Sequence, residues 1–120
     1  MRERMDDRIY QIFDKLNLPV FILDKDQKVK YANPSFLHTI NSSVFEIRGK
    51  HWSKIFSHEN SENFAAILEK VVVEKGAIQY TSQLTHKAIT AQTIKWNISL
   101  IENEEQKNTE ILCIGEEISH

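Results

Sequence analysis

Apolar positions recur along this chain in three rhythms, and their order sets out an architecture. Met5, Ile9, Ile12, Phe13 and Leu16 fall at helical spacing among Arg4, Asp6, Asp7, Arg8, Asp14 and Lys15. That stripe predicts an amphipathic helix of about three turns, stopped by Asn17 and Pro19. Val20, Phe21, Ile22 and Leu23 form an unbroken apolar run, which reads as a strand buried on both faces. Asp24 to Gln27 reverses the chain. Val29 and Tyr31 then alternate with Lys28 and Lys30, predicting a strand with one buried face. Asn33-Pro34 is a helix-start signal, since Asn caps free amides and proline suits the first helical position. The short helix that follows has Phe36, Leu37 and Ile40 as its apolar side. Ser43 and Glu46 have capping-box spacing, Gly49 offers a stop, and Trp52, Ile55 and Phe56 add a one-turn cluster.

The strongest helix in the sequence runs from Asn60 or Ser61 to Lys75. Phe64, Ile67, Leu68, Val71 and Val72 make its buried face, and Gly76 closes it. Strand rhythm returns over Ala77 to Thr85, where Ile78, Tyr80, Ser82 and Leu84 share a face. It continues over Ala91 to Ile101, with Ile94, Trp96, Ile98 and Leu100 on one side. Glu102 to Asn108 reads as a charged loop. Glu110 to Ile118 closes the chain as a strand, apolar on both sides through Ile111, Leu112, Cys113 and Ile114. The class is therefore α+β, with helix, two strands, several helices and three antiparallel strands in order.

Composition narrows what such a domain does. The 120 residues are 41% hydrophobic and 27% charged, which fits one globular domain with a real core. No apolar run nears the ~20 residues of a spanning helix, and the polar Met1 to Asp7 is no secretory signal. One cysteine rules out an intrachain disulfide and fits a reducing, cytoplasmic setting. The net charge of −2, with scattered Lys and Arg, gives no footprint for nucleic acid. With three Gly in the whole chain there is no dinucleotide fingerprint, and phosphate-loop, G-x-S-x-G and H-E-x-x-H motifs are absent. No enzyme activity is expected.

The opening hairpin resembles a PAS domain, in which an apolar strand ending in Asp, a turn, a second strand and Tyr-x-Asn lead into a helix. Val20 to Asp24, Val29, Tyr31, Asn33 and Phe36 fill those positions, with Gln27 where the family usually carries Gly. Ile47-Arg48-Gly49-Lys50 is similar to the Ile-Gly-Lys step of the family. The tail Ile111 to Ser119 resembles the end of sensor-kinase PAS domains, with Glu117 and Ser119 for the usual Asp and Thr. The resemblance spans about Leu16 to Ser119. It implies a PAS-like five-stranded antiparallel sheet with helices packed on one face and an amphipathic N-terminal helix. The first and last strands should then lie together at the sheet centre. Residues 1–17 are read as a cap or dimerisation helix and 18–120 as the PAS domain.

The resemblance also implies a sensory or regulatory domain of a cytosolic signalling protein, such as a sensor histidine kinase of a two-component system. It would bind a small ligand or partner and signal through Glu117, Ile118 and Ser119. The chain stops at His120, where an output helix would begin, so an input domain of a longer protein is expected. The alternative is a ligand-free module acting in dimerisation or protein interaction. A third class, a small open-faced α+β enzyme, would need a perturbed pocket group, and Tyr80 is its one weak candidate. Candidate pocket residues are Phe36, Ile40, His51, Trp52, Phe64, Leu68, Tyr80, Ser82 and Trp96, joined among the aromatics by Phe45 and Phe56. Such residues serve as core more often than as a ligand cage, but they leave room for a flat apolar ligand oriented by Ser82, Asn33 or His51.

Cofactors are not expected. Haem-binding relatives commonly place a histidine on the long helix, and Ser61 to Lys75 has none, which disfavours histidine-ligated haem and leaves His51 or His58 as the alternative ligand. His38, His51, His58, His86 and His120 show no metal spacing, so no metal is expected. Flavin photoreceptors of the superfamily carry an Asn-Cys-Arg-Phe-Leu-Gln motif that is missing here, which leaves a flavin held without that cysteine as the alternative, and Cys113 reads as a small buried apolar residue. Met5, Ile9, Ile12, Phe13 and Leu16 are the candidate dimer surface. They are the spare apolar stripe able to cover the outer side of the two doubly apolar strands, with a second copy completing the cover.

Overall fold

The structure is a computed structural model that describes residues 5–55, 61–84, 92–103 and 107–118. The elements are helix α1 (Met5–Asp14), strands β1 (Val20–Leu23) and β2 (Val29–Ala32), and helices α2 (Pro34–Thr39) and α3 (Val44–Ile47). A 3-10 turn (Trp52–Lys54), helix α4 (Ser61–Glu74) and strands β3 (Ile78–Leu84), β4 (Gln92–Asn103) and β5 (Asn108–Glu117) complete them. One five-stranded sheet has the order β2-β1-β5-β4-β3, and every neighbouring pair is antiparallel. First and last strands lie side by side as expected, with Phe21 opposite Cys113 and Ile22 opposite Leu112.

Strand alternation assigns the faces. Phe21, Leu23, Ile94, Trp96, Ile98, Ile111 and Cys113 point inward, where Phe36, Ile40, Ile47, Trp52, Ile55, Phe64, Leu68 and Val71 of the helical segment cover them. Phe64, Leu68 and Val71 recur at helical spacing, so α4 presents a narrow stripe. Val72, read as part of that face, is 42% exposed. The helix ends at Glu74 and is closed by Lys75 rather than Gly76, with Lys75 adopting the left-handed φ of 54°.

Three local departures have physical causes. The β1–β2 register steps from Ile22↔Tyr31 to Leu23↔Val29, so Lys30 is bulged out. The bulge puts Val29 and Tyr31, which alternation alone places together, on opposite faces. Ser43 stands at the N-cap of α3 but makes no side-chain capping hydrogen bond, so the expected capping box is not formed from its hydroxyl. Of the charged 102–108 segment, Glu102, Asn103 and Asn108 belong to strands. Glu102 pairs with Thr109 and Asn103 with Asn108, because the hairpin ladder continues to within a few residues of its turn.

The hairpin turn is held by Asp24, whose Oδ1 accepts from the amides of Asp26 at 2.9 Å and Lys28 at 3.0 Å. Gln27 has φ 64°, a conformation that glycine adopts most easily. Beyond α3, Gly49 at φ 81° turns the chain so that its amide donates to Val29 O while Val29 N donates to Lys50 O. Segment 49–52 thereby lines the free edge of β2.

Candidate functional site

The candidate site is the space between the helices and the inner sheet face. Its residues come from six elements, and their rings meet in two groups. Phe21 lies 4.7 Å from Phe36, and Trp96 meets Phe21 edge-on at 5.2 Å and Phe36 at 6.1 Å. A second group joins Trp52 to Phe64 edge-on at 4.8 Å and Phe64 to Tyr80 at 6.1 Å. Such tilted and edge-on pairs are the favoured aromatic geometry. Ile40 and Leu68 are fully buried among them.

The two indole N–H groups among these rings are matched internally. Trp96 Nε1 donates to Ser82 Oγ across the β3–β4 pair at 3.1 Å, and Trp52 Nε1 donates to Gln27 Oε1 at 2.9 Å. Gln27 thus has a packing reason to stand where a bare glycine would suit the backbone. His51, a candidate to orient a ligand, caps the 3-10 turn: its Nδ1 accepts from Ser53 N at 3.2 Å. Phe45 does not reach the core at all, being 93% exposed on α3. Phe56, His58, His86 and His120 lie outside the described residues.

Asn33 holds the site's frame. Fully buried, it caps α2 as expected, with Oδ1 accepting from Phe36 N, and the same oxygen accepts from Val20 N. Nδ2 donates to Phe13 O and Leu18 O. One amide therefore ties α1, the following linker, β1 and α2 together. Only the capping bond was legible from the Asn-Pro pair.

Across the sheet, α1 packs on Tyr31 of β2. Tyr10 stacks on Tyr31 with centroids 4.2 Å apart, and Phe13 lies 6.2 Å from Tyr31. Tyr31 also donates a hydrogen bond to Asp14 Oδ1. The contact face therefore includes Tyr10 and Asp14, which the hydrophobic stripe omits. Ile12, placed in that stripe, is 61% exposed on the other side, while Ile9 and Leu16 are half-buried. Leu16 lies beyond α1, and the side chain of Met5 is outside what is described. Further along the outer face, Lys30 Nζ lies 2.7 Å from Glu110 Oε2. An open groove of about 380 Å³ lies where Leu18, Gln79, Lys95, Asn97, Ile114 and Glu116 line the outer side of β3, β4 and β5.

Burial pushes the Cys113 thiol far above its ordinary range, so the thiol keeps its proton. Burial, then the hydrogen bond to Asp14 and its charge, raise Tyr31. Burial alone raises Tyr80. Among the described residues no group of three or more His, Cys, Asp or Glu is placed to hold a metal ion, and no helix is long and apolar enough to cross a membrane. Of the output residues, Glu117 ends β5 exposed and Ile118 follows half-buried, its amide bonded to Thr93 O at 3.0 Å; Ser119 lies outside the described residues.

A family model described as a PAS fold matches residues 13–120. Comparison with curated proteins gives no match. Among solved structures, the chain is similar to the PAS domain of an HTR-like protein from Haloarcula marismortui, with 14% identity and a TM-score of 0.76 over 94% of this chain and 91% of that one. A PAS domain from a two-component sensor histidine kinase matches at 10% identity and TM-score 0.73, over 94% and 96% of the two chains. The LOV protein of Rhodobacter sphaeroides matches at 15% identity and TM-score 0.81, covering all of this chain and 70% of its own.

Proposed function

This chain belongs to the PAS family, and from that premise we propose that it is the sensory input domain of a signalling protein, with a sensor histidine kinase as host. It takes a small, flat, apolar ligand or a partner and passes the change outward through β5. The observation that carries this reading is the position of β5. It is central in the sheet, its Ile111 and Cys113 reach the aromatic core, and its other face lies under the outer surface. A shift of the core therefore has a direct mechanical route to Glu117, Ile118 and Ser119. Catalysis, in this proposal, is left to other parts of the host, in the cytoplasm.

Residues 1–17 serve in this reading as a cap and dimer contact, and 18–120 as the sensing unit. Ile12 and Leu18 are exposed apolar residues and Leu18 lines the groove, which supports pairing with a second copy on this side of the chain. The second reading, a module that only dimerises its host, is supported by the matched indole N–H groups and the tilted ring packing, since both suit a filled core. Native mass spectrometry and a visible absorption spectrum of freshly purified protein separate the two. A bound small molecule supports the sensing reading, and a bare dimer from which nothing is released supports the second. A protein that is both bare and monomeric at hundreds of micromolar overturns both.

A further inference from the structure

Gly115 lies in β5 directly opposite Trp96 of β4, on the inner side of the sheet. A Cβ added there would stand 2.7 Å from Trp96 Cζ3, 2.9 Å from Cε3 and 2.8 Å from Ile94 Cγ2. The six-membered ring of the indole thus rests on bare backbone. Its other end is latched by the hydrogen bond from Nε1 to Ser82 Oγ, and its faces and edges meet Phe21 and Phe36. One ring touches β1, β3, β5 and α2 together. The strand end beyond its seat pairs with β4 as far as Ile94↔Glu117, and outside that ladder two further backbone bonds fasten it, Gly115 N to Pro19 O at 2.8 Å and Ile118 N to Thr93 O at 3.0 Å.

We propose that Trp96 is the positioning residue through which the core acts on the end of β5. This rests on the reading of β5 as the output strand and names the contact that drives it. Seated on Gly115 and latched to Ser82, the indole holds the strand end against Pro19 and Thr93. An occupant of the core that lifts the ring loosens both bonds. The physical reason is the absence of a side chain at the seat. Elsewhere a rotamer change absorbs a neighbour's movement, whereas at Gly115 the backbone itself is the contact surface and must follow the ring. Trp52 is the counterexample within the same core. Its latch is Gln27 in the β1–β2 turn and its ring meets His51 and Phe64, none of them in β5.

The test needs neither ligand nor second copy, so its failure is separable from failure of the sensing reading. Ser82→Ala unlatches the ring, and Gly115→Ala pushes it off the seat. The two indole N–H signals are assigned with Trp52→Phe. Both variants should shift the Trp96 signal. In Ser82→Ala, amide exchange at Gly115 and Ile118 should quicken about tenfold, the scale of one local bond lost, while Val20 and Asp24 keep their rates. Gln27→Gly, which releases Trp52 at a backbone glycine accepts, should leave Gly115 and Ile118 unchanged. The proposal is overturned if the Trp96 signal moves without change at those two amides, if all amides quicken equally, or if Ser82→Ala leaves the ring in place.

Discussion

The two faces of the sheet are built by different means, although β1 and β5 contribute apolar residues to both. Inside, closure comes from shape: Phe21, Trp96 and Phe36 fit ring against ring, as do Trp52 and Phe64, and the indole N–H groups of Trp96 and Trp52 turn to Ser82 and Gln27. Outside, a ten-residue helix lies over Tyr31 of β2, and it is fastened by polar contacts around one stacked pair. Asn33 grips the Phe13 and Leu18 carbonyls, Tyr31 bonds Asp14, and Tyr10 stacks on Tyr31. A short helix buries too little apolar surface to hold itself by packing alone. The difference teaches that the inner face is stabilised by many interchangeable contacts and the outer face by a few specific ones.

Truncation inside should carry the largest effect. Phe36→Ala or Leu68→Ala removes a fully buried side chain, and chemical denaturation should show a loss of roughly 3 to 5 kcal/mol. A much smaller loss would mean that the inner face holds an open cavity at that wall, and the comparison would fail. On the outside, Asn33→Ala should cost roughly 2 to 4 kcal/mol, because two amides and two carbonyls lose their partner at once. Loss of α1 protection in amide exchange should accompany it, which a purely inner defect would not produce.

Alkaline titration separates the faces next. The Cys113 thiol keeps its proton in the folded chain above its ordinary 9.0, as does the Tyr31 hydroxyl above 10.0. Where the folded value is raised, the native state holds more protons than the unfolded chain, so each contribution is present below the ordinary value and is lost as pH rises past it. Cys113→Ala should remove the onset near the thiol value, and Tyr31→Phe only the later one. An unchanged onset in Cys113→Ala would refute the assignment. At neutral pH Tyr31→Phe should cost only about 1 kcal/mol, the worth of one exposed hydrogen bond with the ring stack retained. The smallest effect on stability is expected from Ile12→Glu, within about 0.5 kcal/mol, since Ile12 faces outward. That variant should nevertheless weaken a dimer in sedimentation if the outer surface pairs with a second copy. Unaltered dimerisation would move the interface elsewhere.

Much of the fold is written in local pattern, because burial imposes its period on the chain. The doubly apolar runs Val20–Leu23 and Ile111–Ile114 marked the central strands, Asn33-Pro34 marked the start of α2, and the Phe64, Leu68 and Val71 spacing marked α4. Those signals need only neighbours a few residues apart. Partnership across the fold is a different kind of information. Nothing within reach of Lys30 announces the bulge that sends Val29 and Tyr31 to opposite faces. Phe45 is as apolar as Phe36, and only the path of the chain leaves one exposed and the other buried. Tyr10 and Asp14 interrupt the stripe of α1, yet they meet Tyr31 because β2 passes beneath them. Gly115 reads as an ordinary strand residue until Trp96 is laid across it. Sequence by itself determined which segments hide and with what period; tertiary structure alone decided which side chains meet, because contact depends on segments that sequence order keeps far apart.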